Sequence, residues 1–166
     1  IIFDGTGRHV GPTLAEHVHG NASSLTYLMV DDILSKELTY GERIIWRQRF
    51  AKMGIHPKGE QTLKSVKANG NALEVTCVSE LTGEIWITTA DVVIADTGTV
   101  PVDDLYRKLQ HNSNNNGITD VSAFLSGKNQ LDMDKPGMSL FRIGDALSSR
   151  NVAAAMFDAL RLCHRL

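Results

Sequence analysis

Hydrophobic and polar positions follow two regimes along the chain. The first four residues, IIFD, make a run of strand length, and a turn holding Gly5, Gly7 and Gly11 leads into PTLAEHVHG. There Pro12 suits a first helical turn and Gly20 a stop. A second apolar run, SLTYLMV, closes at Asp31 and Asp32. After it, YGERIIWRQRFAKMG carries Ile44, Ile45, Phe50 and Met53 near helical spacing, with Gly54 as its cap. Strand, glycine turn, helix, strand, acid is the order of half a dinucleotide-binding fold.

The middle changes period. QTLKSVKANGNALEVTCVSELTGEIWITT reads as three short strands with turns at Asn69–Asn71 and near Gly83, and Leu73, Val75 and Cys77 alternate with polar neighbours. That pattern predicts an antiparallel meander. ADVVIADTG then returns to a buried strand ending at Gly98, and PVDDLYRKL to a short helix opened by Pro101. HNSNNNG reads as a solvated loop or linker. Beyond it, MSLFRIGDA predicts a strand that delivers Gly144 and Asp145 to a turn, and a final Ala-rich helix carries Val152, Met156, Leu160 and Cys163 on one stripe. The fold class is therefore α/β, a Rossmann-like parallel sheet flanked by helices with an antiparallel meander.

Bulk properties narrow the function. The 166 residues, 42% hydrophobic and 22% charged, suffice for a folded core. With 17 basic against 19 acidic side chains, nothing draws this surface to polyphosphate backbones or anionic lipid, so no nucleic-acid or membrane partner is expected. No apolar run approaches the roughly twenty residues that span a bilayer. Cys77 and Cys163 are far apart with no CxxC spacing, which suits a reducing cytoplasm and gives no zinc or iron site. His17 and His19, two apart on a helix, face different ways, and Ser148 and Ser149 read as helix caps. No catalytic or metal-binding residue is expected, and a chain opening at Ile1 inside a strand pattern reads as part of a longer protein.

The glycine turn carries the candidate binding chemistry. A strand-to-helix turn aims free N–H groups and the positive helix end at a phosphate, and glycine lets the ligand close on the main chain. Counted back from the helix, Gly11 takes the third glycine's place, Thr6 the first and Arg8 the second, where pyrophosphate passes closest. Arg8 there either obstructs the ligand or supplies charge from the side. Equally, the turn is explained by close packing of helix on sheet. Asp31 suits a ribose hydroxyl or a plain turn.

IIFDGTGRHVGPTLAEH, LTYGERIIWRQR, SELTGEIW, VVIADTG and LFRIGDALSSRNVAAAMFDALRL together resemble the C-terminal region of the trimethylamine dehydrogenase and 2,4-dienoyl-CoA reductase branch of the old yellow enzyme family. The N-demethylase-like NADH:flavin oxidoreductases are the most similar members. The resemblance implies a larger parent: a TIM barrel with FMN and an iron–sulfur cluster, then two glutathione-reductase-like domains for FAD or ADP and for NAD(P)H. Residues 1–111 would be the inserted NAD(P)-type domain, and 112–166 a linker with the returning strand and helix of the FAD-type domain. Gly144 and Asp145 match the second flavin motif. Asp96-Thr97-Gly98 matches an Ala-Thr-Gly turn beside the cofactor, with Asp96 departing from it by adding a carboxylate.

The expectation is thus a nucleotide-binding region of a multidomain amine or betaine oxidoreductase, itself without catalysis and without bound flavin, iron or zinc. Its partners would be the rest of its own chain and an electron-transfer flavoprotein, in a homo-oligomeric parent. A self-contained module binding NAD(H) or ADP is the rival reading.

Overall fold

The apolar runs at the start of the chain meet in a parallel sheet. The computed structural model describes residues 1–130 and 136–164. In chain order the first elements are β1 (Ile2–Asp4), α1 (Val10–His19), β2 (Tyr27–Met29), α2 (Tyr40–Met53), β3 (Gln61–Asn69), β4 (Ala72–Ser79), β5 (Ile85–Ala90) and β6 (Ile94–Asp96). One sheet has the order β2-β1-β6, all parallel, with Ile2 opposite both Tyr27 and Ile94. This is the sheet expected of the three apolar runs. The second sheet is the antiparallel meander β3-β4-β5.

Period-two alternation assigns the two faces of the parallel sheet. Ile2, Tyr27 and Met29 pack with Ala15, Leu34, Trp46, Phe50 and Ile55 on the helical side. Phe3 and Leu28 pack on the other side against Val75 and Cys77 of β4. The sheet is therefore buried on both faces, as continuous apolar strands require. On α2 the buried stripe is Trp46 and Phe50, while Ile45 is exposed. Of the expected positions Phe50 is buried and Met53 packs against the core, while Trp46 takes the inward place expected of Ile45, its Nε1–H donating to His9 Nδ1 at 3.1 Å. Thr39 opens the helix, its N–H and hydroxyl donating to Glu42 Oε2 at 3.1 and 2.6 Å, and Gly54 closes it.

The described chain divides into two compact units, Ile1–Gly98 and Thr99–Leu166. The second unit holds α3 (Asp104–Leu109), α4 (Val121–Ser126) and α5 (Val152–Cys163), with one-turn 3-10 helices at Gln110–Asn112 and Gly144–Ala146. Asp103, and not Pro101, precedes the first of these helices. Asp103 pairs with Arg142, and Tyr106 OH donates to Gly117 O at 2.9 Å, so the segment around 103–106 makes its bonds within this unit.

Four expectations are corrected here. HNSNNNG is a loop only partly open to solvent and no linker: His111, Asn112 and Asn116 are exposed, but Ser113 and Asn115 are buried. Asn115 donates to Ile118 O and Leu140 O at 3.0 and 2.8 Å and accepts from Leu140 N–H at 2.9 Å, tying two stretches of irregular backbone together. MSLFRIGDA forms no strand, because no neighbouring strand among the described residues gives it a ladder. On α5, Val152, Met156, Leu160 and Cys163 are exposed, and the helix docks through Ala155, Asp158 and Leu162. Asp158 can be buried because it accepts from Gly144 N–H at 3.2 Å and pairs with Arg150. Asn151 caps this helix through Ala154 N–H, so Ser148 and Ser149 do not.

Gly11 is where α1 rests on the sheet. A Cβ at this position would lie 2.6 Å from the Tyr27 hydroxyl and 2.7 Å from Asp4 Cγ. Gly11→Ala is expected to destabilise the first unit by about 1–3 kcal/mol through overpacking, read as a lower urea midpoint with an unchanged slope.

Candidate functional site

The C-terminal ends of the three parallel strands converge on the glycine turn, the position where open α/β sheets bind ligands. β1 ends in Asp4, which is 1% exposed. Its Oδ1 accepts from Gly7 N–H at 2.9 Å and Thr6 N–H at 3.1 Å, and its Oδ2 accepts from Tyr27 OH at 2.7 Å. Gly5 N–H donates to Asp96 O at 2.8 Å. All three amides from Gly5 to Gly7 are consequently spent inside the protein.

The side chains around the turn are acidic. Thr6 bridges Asp4 and Asp96, its hydroxyl donating to Asp96 Oδ2 at 2.7 Å, and Gly98 N–H donates to Asp96 Oδ1 at 3.2 Å. Gly7 is buried with φ +63°, and a Cβ there would overlap the Asp31 carboxylate. Asp31 thus lies against the turn itself. Partial burial raises its carboxyl above the usual aspartate range; Lys36 offsets this, while Glu37, Asp4 and Asp32 add to it. Burial likewise raises the Tyr27 phenol, with the Asp4 carboxylate reinforcing the shift. Arg8 is half-buried, and Thr97 and Gly98 are exposed.

These groups do not fit a dinucleotide pyrophosphate. An anion at the turn would meet amides that already donate to Asp4 and Asp96, and the carboxylates of Asp4, Asp31 and Asp96 would repel it. The positions read from the sequence as one site do come together: Gly5, Thr6, Gly7 and Gly11 share the turn, and Asp31, Thr97 and Gly98 flank it. Asp4 and Tyr27 were missed. Their signal is a carboxylate closing an apolar strand and a tyrosine inside its neighbour.

In the second unit Gly144 is buried at φ +58° and Asp145 is exposed on the one-turn helix. Leu147 and Ser148 N–H both return to Gly144 O at 3.0 Å. A cavity of about 600 Å³ beside this turn is lined by Tyr106, Ile118, Phe124, Arg142, Leu147 and Arg150, among others. Among the described residues no group of three or more His, Cys, Asp or Glu is placed to hold a metal, and no helix is long and apolar enough to cross a membrane.

No family model matches the chain. Three curated relatives do, two of which are described here. A multifunctional alkene reductase/demethylase OYE of Caballeronia cordobensis is 31% identical over 98% of this chain and 25% of its own length. A probable N-methylproline demethylase of Rhizobium meliloti (strain 1021) is 29% identical over 98% of this chain and 24% of its own. The chain thus spans about a quarter of the length of the curated relatives it matches. Among solved structures, histamine dehydrogenase from Rhizobium sp. 4-9 aligns with a TM-score of 0.66 at 15% identity, over 99% of this chain and 22% of that one. Lactococcus lactis thioredoxin reductase aligns at 0.60 and 20% identity, over 96% and 49%. Both share the fold.

Two outcomes follow from the carboxylates. Asp4→Ala leaves the Tyr27 hydroxyl and two loop amides without partners and is expected to cost on the order of 3 kcal/mol, read by urea denaturation. Asp31→Asn is expected to raise the unfolding midpoint at neutral pH, by up to about 1 kcal/mol for this partly exposed group. A carboxyl whose folded pKa is raised favours the folded state at low pH and loses that contribution as pH rises through the folded value. The gain from Asn should therefore fade as the solution is acidified through the usual aspartate range, in thermal melts at stepped pH.

Proposed function

We propose, for a chain homologous over nearly its whole length to the old yellow enzyme family, that it serves as the nucleotide-binding-type region of a larger flavin-dependent amine or betaine oxidoreductase. Within it the first unit is a scaffold that has closed its own phosphate site. One observation carries this reading: the Asp4 carboxylate accepts from the Thr6 and Gly7 amides that a pyrophosphate would need. Asp145 and the turn after it are the more open candidate for a sugar hydroxyl of FAD or ADP.

In such an enzyme FMN or FAD supplies the electron-pair chemistry, beside an iron–sulfur cluster, and the residues here position and support. Their immediate partner is then the remainder of the same polypeptide. The second unit supports this, since Ala123 and Leu162 are the only apolar side chains it buries among the described residues, while Val121, Leu125, Val152 and Met156 are exposed. So few buried apolar groups stabilise a unit of this size only weakly.

Calorimetric titration of the chain with NADH and with ADP tests the closed turn. Each charge-assisted amide contact is worth about 1.5–3 kcal/mol, so losing two lowers affinity by roughly two to four powers of ten. No saturable heat is expected from NADH, with or without Arg8→Gly. Tight binding that Arg8→Gly weakens would make Arg8 a ligand clamp and overturn the closed-site reading. Limited proteolysis is expected to remove Thr99–Leu166 first and leave Ile1–Gly98 resistant, by mass spectrometry of the fragments.

A further inference from the structure

The chain holds two Asn–Gly pairs, Asn69–Gly70 and Asn116–Gly117, and the fold treats them oppositely. An asparagine side-chain amide is open to attack by the next backbone nitrogen, above all before glycine, which has no Cβ to block the approach. Asn69–Gly70 forms the tip of the β3–β4 hairpin. Asn69 and Ala72 are its last rung, and Gly70 takes the left-handed first place of the two-residue turn at φ +61°. Asn69 and Gly70 are both exposed, and a Cβ on Gly70 would meet nothing within 4 Å. Among the described residues neither the Gly70 amide nor the Asn69 side chain has a hydrogen-bond partner. Asn116–Gly117 is clamped instead. Gly117 is buried, its N–H donating to Ser113 Oγ at 2.9 Å and its carbonyl accepting from Tyr106 OH at 2.9 Å.

We propose that Asn69 is a site of spontaneous covalent modification, which turns the hairpin tip from neutral to anionic. The Gly70 nitrogen attacks Asn69 Cγ, a new C–N bond forms, and the side-chain nitrogen departs as ammonia. Water from the solvent then opens the cyclic imide at one of its two carbonyls. Breaking the bond to Cγ yields aspartate on the original backbone. Breaking the bond to the main-chain carbonyl yields isoaspartate, whose backbone runs through Cβ and Cγ. One water enters and one ammonia leaves, with no oxidant or reductant. Asn69 is extended in β3, so ring closure waits on rotation of its carbonyl, and the terminal rung is the one pairing that must open for it. The product adds one negative charge to a chain of formal net charge −2. The core stays in place, because the buried Val75 and Cys77 pair with Val66 and Leu63 farther along the ladder.

The test incubates the whole chain at mildly alkaline pH and maps it with trypsin. Cleavage after Lys67, Arg107, Lys108 and Lys128 puts the two asparagines on separate peptides. The mass shift of amide to acid is expected at Asn69 in fragment spectra, with isoaspartyl methyltransferase labelling there and a more acidic species on anion exchange. Asn116 should lag about tenfold or more, since its ring closure requires the buried Gly117 amide to give up its hydrogen bond. In urea the two should react at similar rates, because the dipeptide is the same and only the fold distinguishes them. Asn69→Ser should remove the acidic species and retain the native far-ultraviolet spectrum. A native chain in which Asn69 stays intact, or reacts no faster than Asn116, overturns the proposal. So does a preference for Asn69 that persists undiminished in urea, or an acidic species that survives Asn69→Ser.

Discussion

One buried carboxylate organises the first unit. Asp4 lies at the C-terminal end of the central strand, sealed from solvent, and such a charge persists only where donors surround it. It recruits them from two directions, the hydroxyl of Tyr27 on the adjacent strand and the amides of the turn that follows. The first bond fixes how β2 sits against β1. The second folds the turn back on its own strand, so that α1 begins close enough to the sheet for only a glycine to fit at position 11. Strand register, turn path and helix position are three readings of one constraint.

The proposed closure of the phosphate site rests on the same constraint. In a binding fold the amides of the first turn are held ready for an external anion. Here an internal anion takes the same bonds and makes the turn a structural joint. The spacing between Gly7 and Gly11, one residue longer than the usual pattern, is no defect in this setting. Gly7 supplies the left-handed backbone beside Asp31, and Gly11 the close approach of helix to sheet.

The first unit was legible in the sequence because burial on both faces writes uninterrupted apolar runs, and the meander because its inward positions alternate. The second unit was much less so. Its cohesion comes from Asn115, Ser113, Asp103 and Asp158, polar groups satisfied by backbone and by arginine, and composition presents the same residues as linker or surface. The apolar stripe of the last helix misled for a related reason: periodicity reveals that a face is apolar, and not which neighbour covers it. Within the candidate site the glycines, Asp31 and the turn at 96–98 stood out by motif. Asp4 did not, since no pattern distinguishes a strand-ending acid that faces solvent from one that faces inward.

The two tryptophans stand in different parts of this architecture. Trp46 donates its indole N–H to His9, the residue just before α1, while Trp86 of β5 donates to Gln61 at 2.8 Å and lies under the Lys58 ammonium. Their emission therefore reports on separate events. The molecule thus carries an intrinsic optical label for each of its two sheets, separable by replacing either indole with phenylalanine.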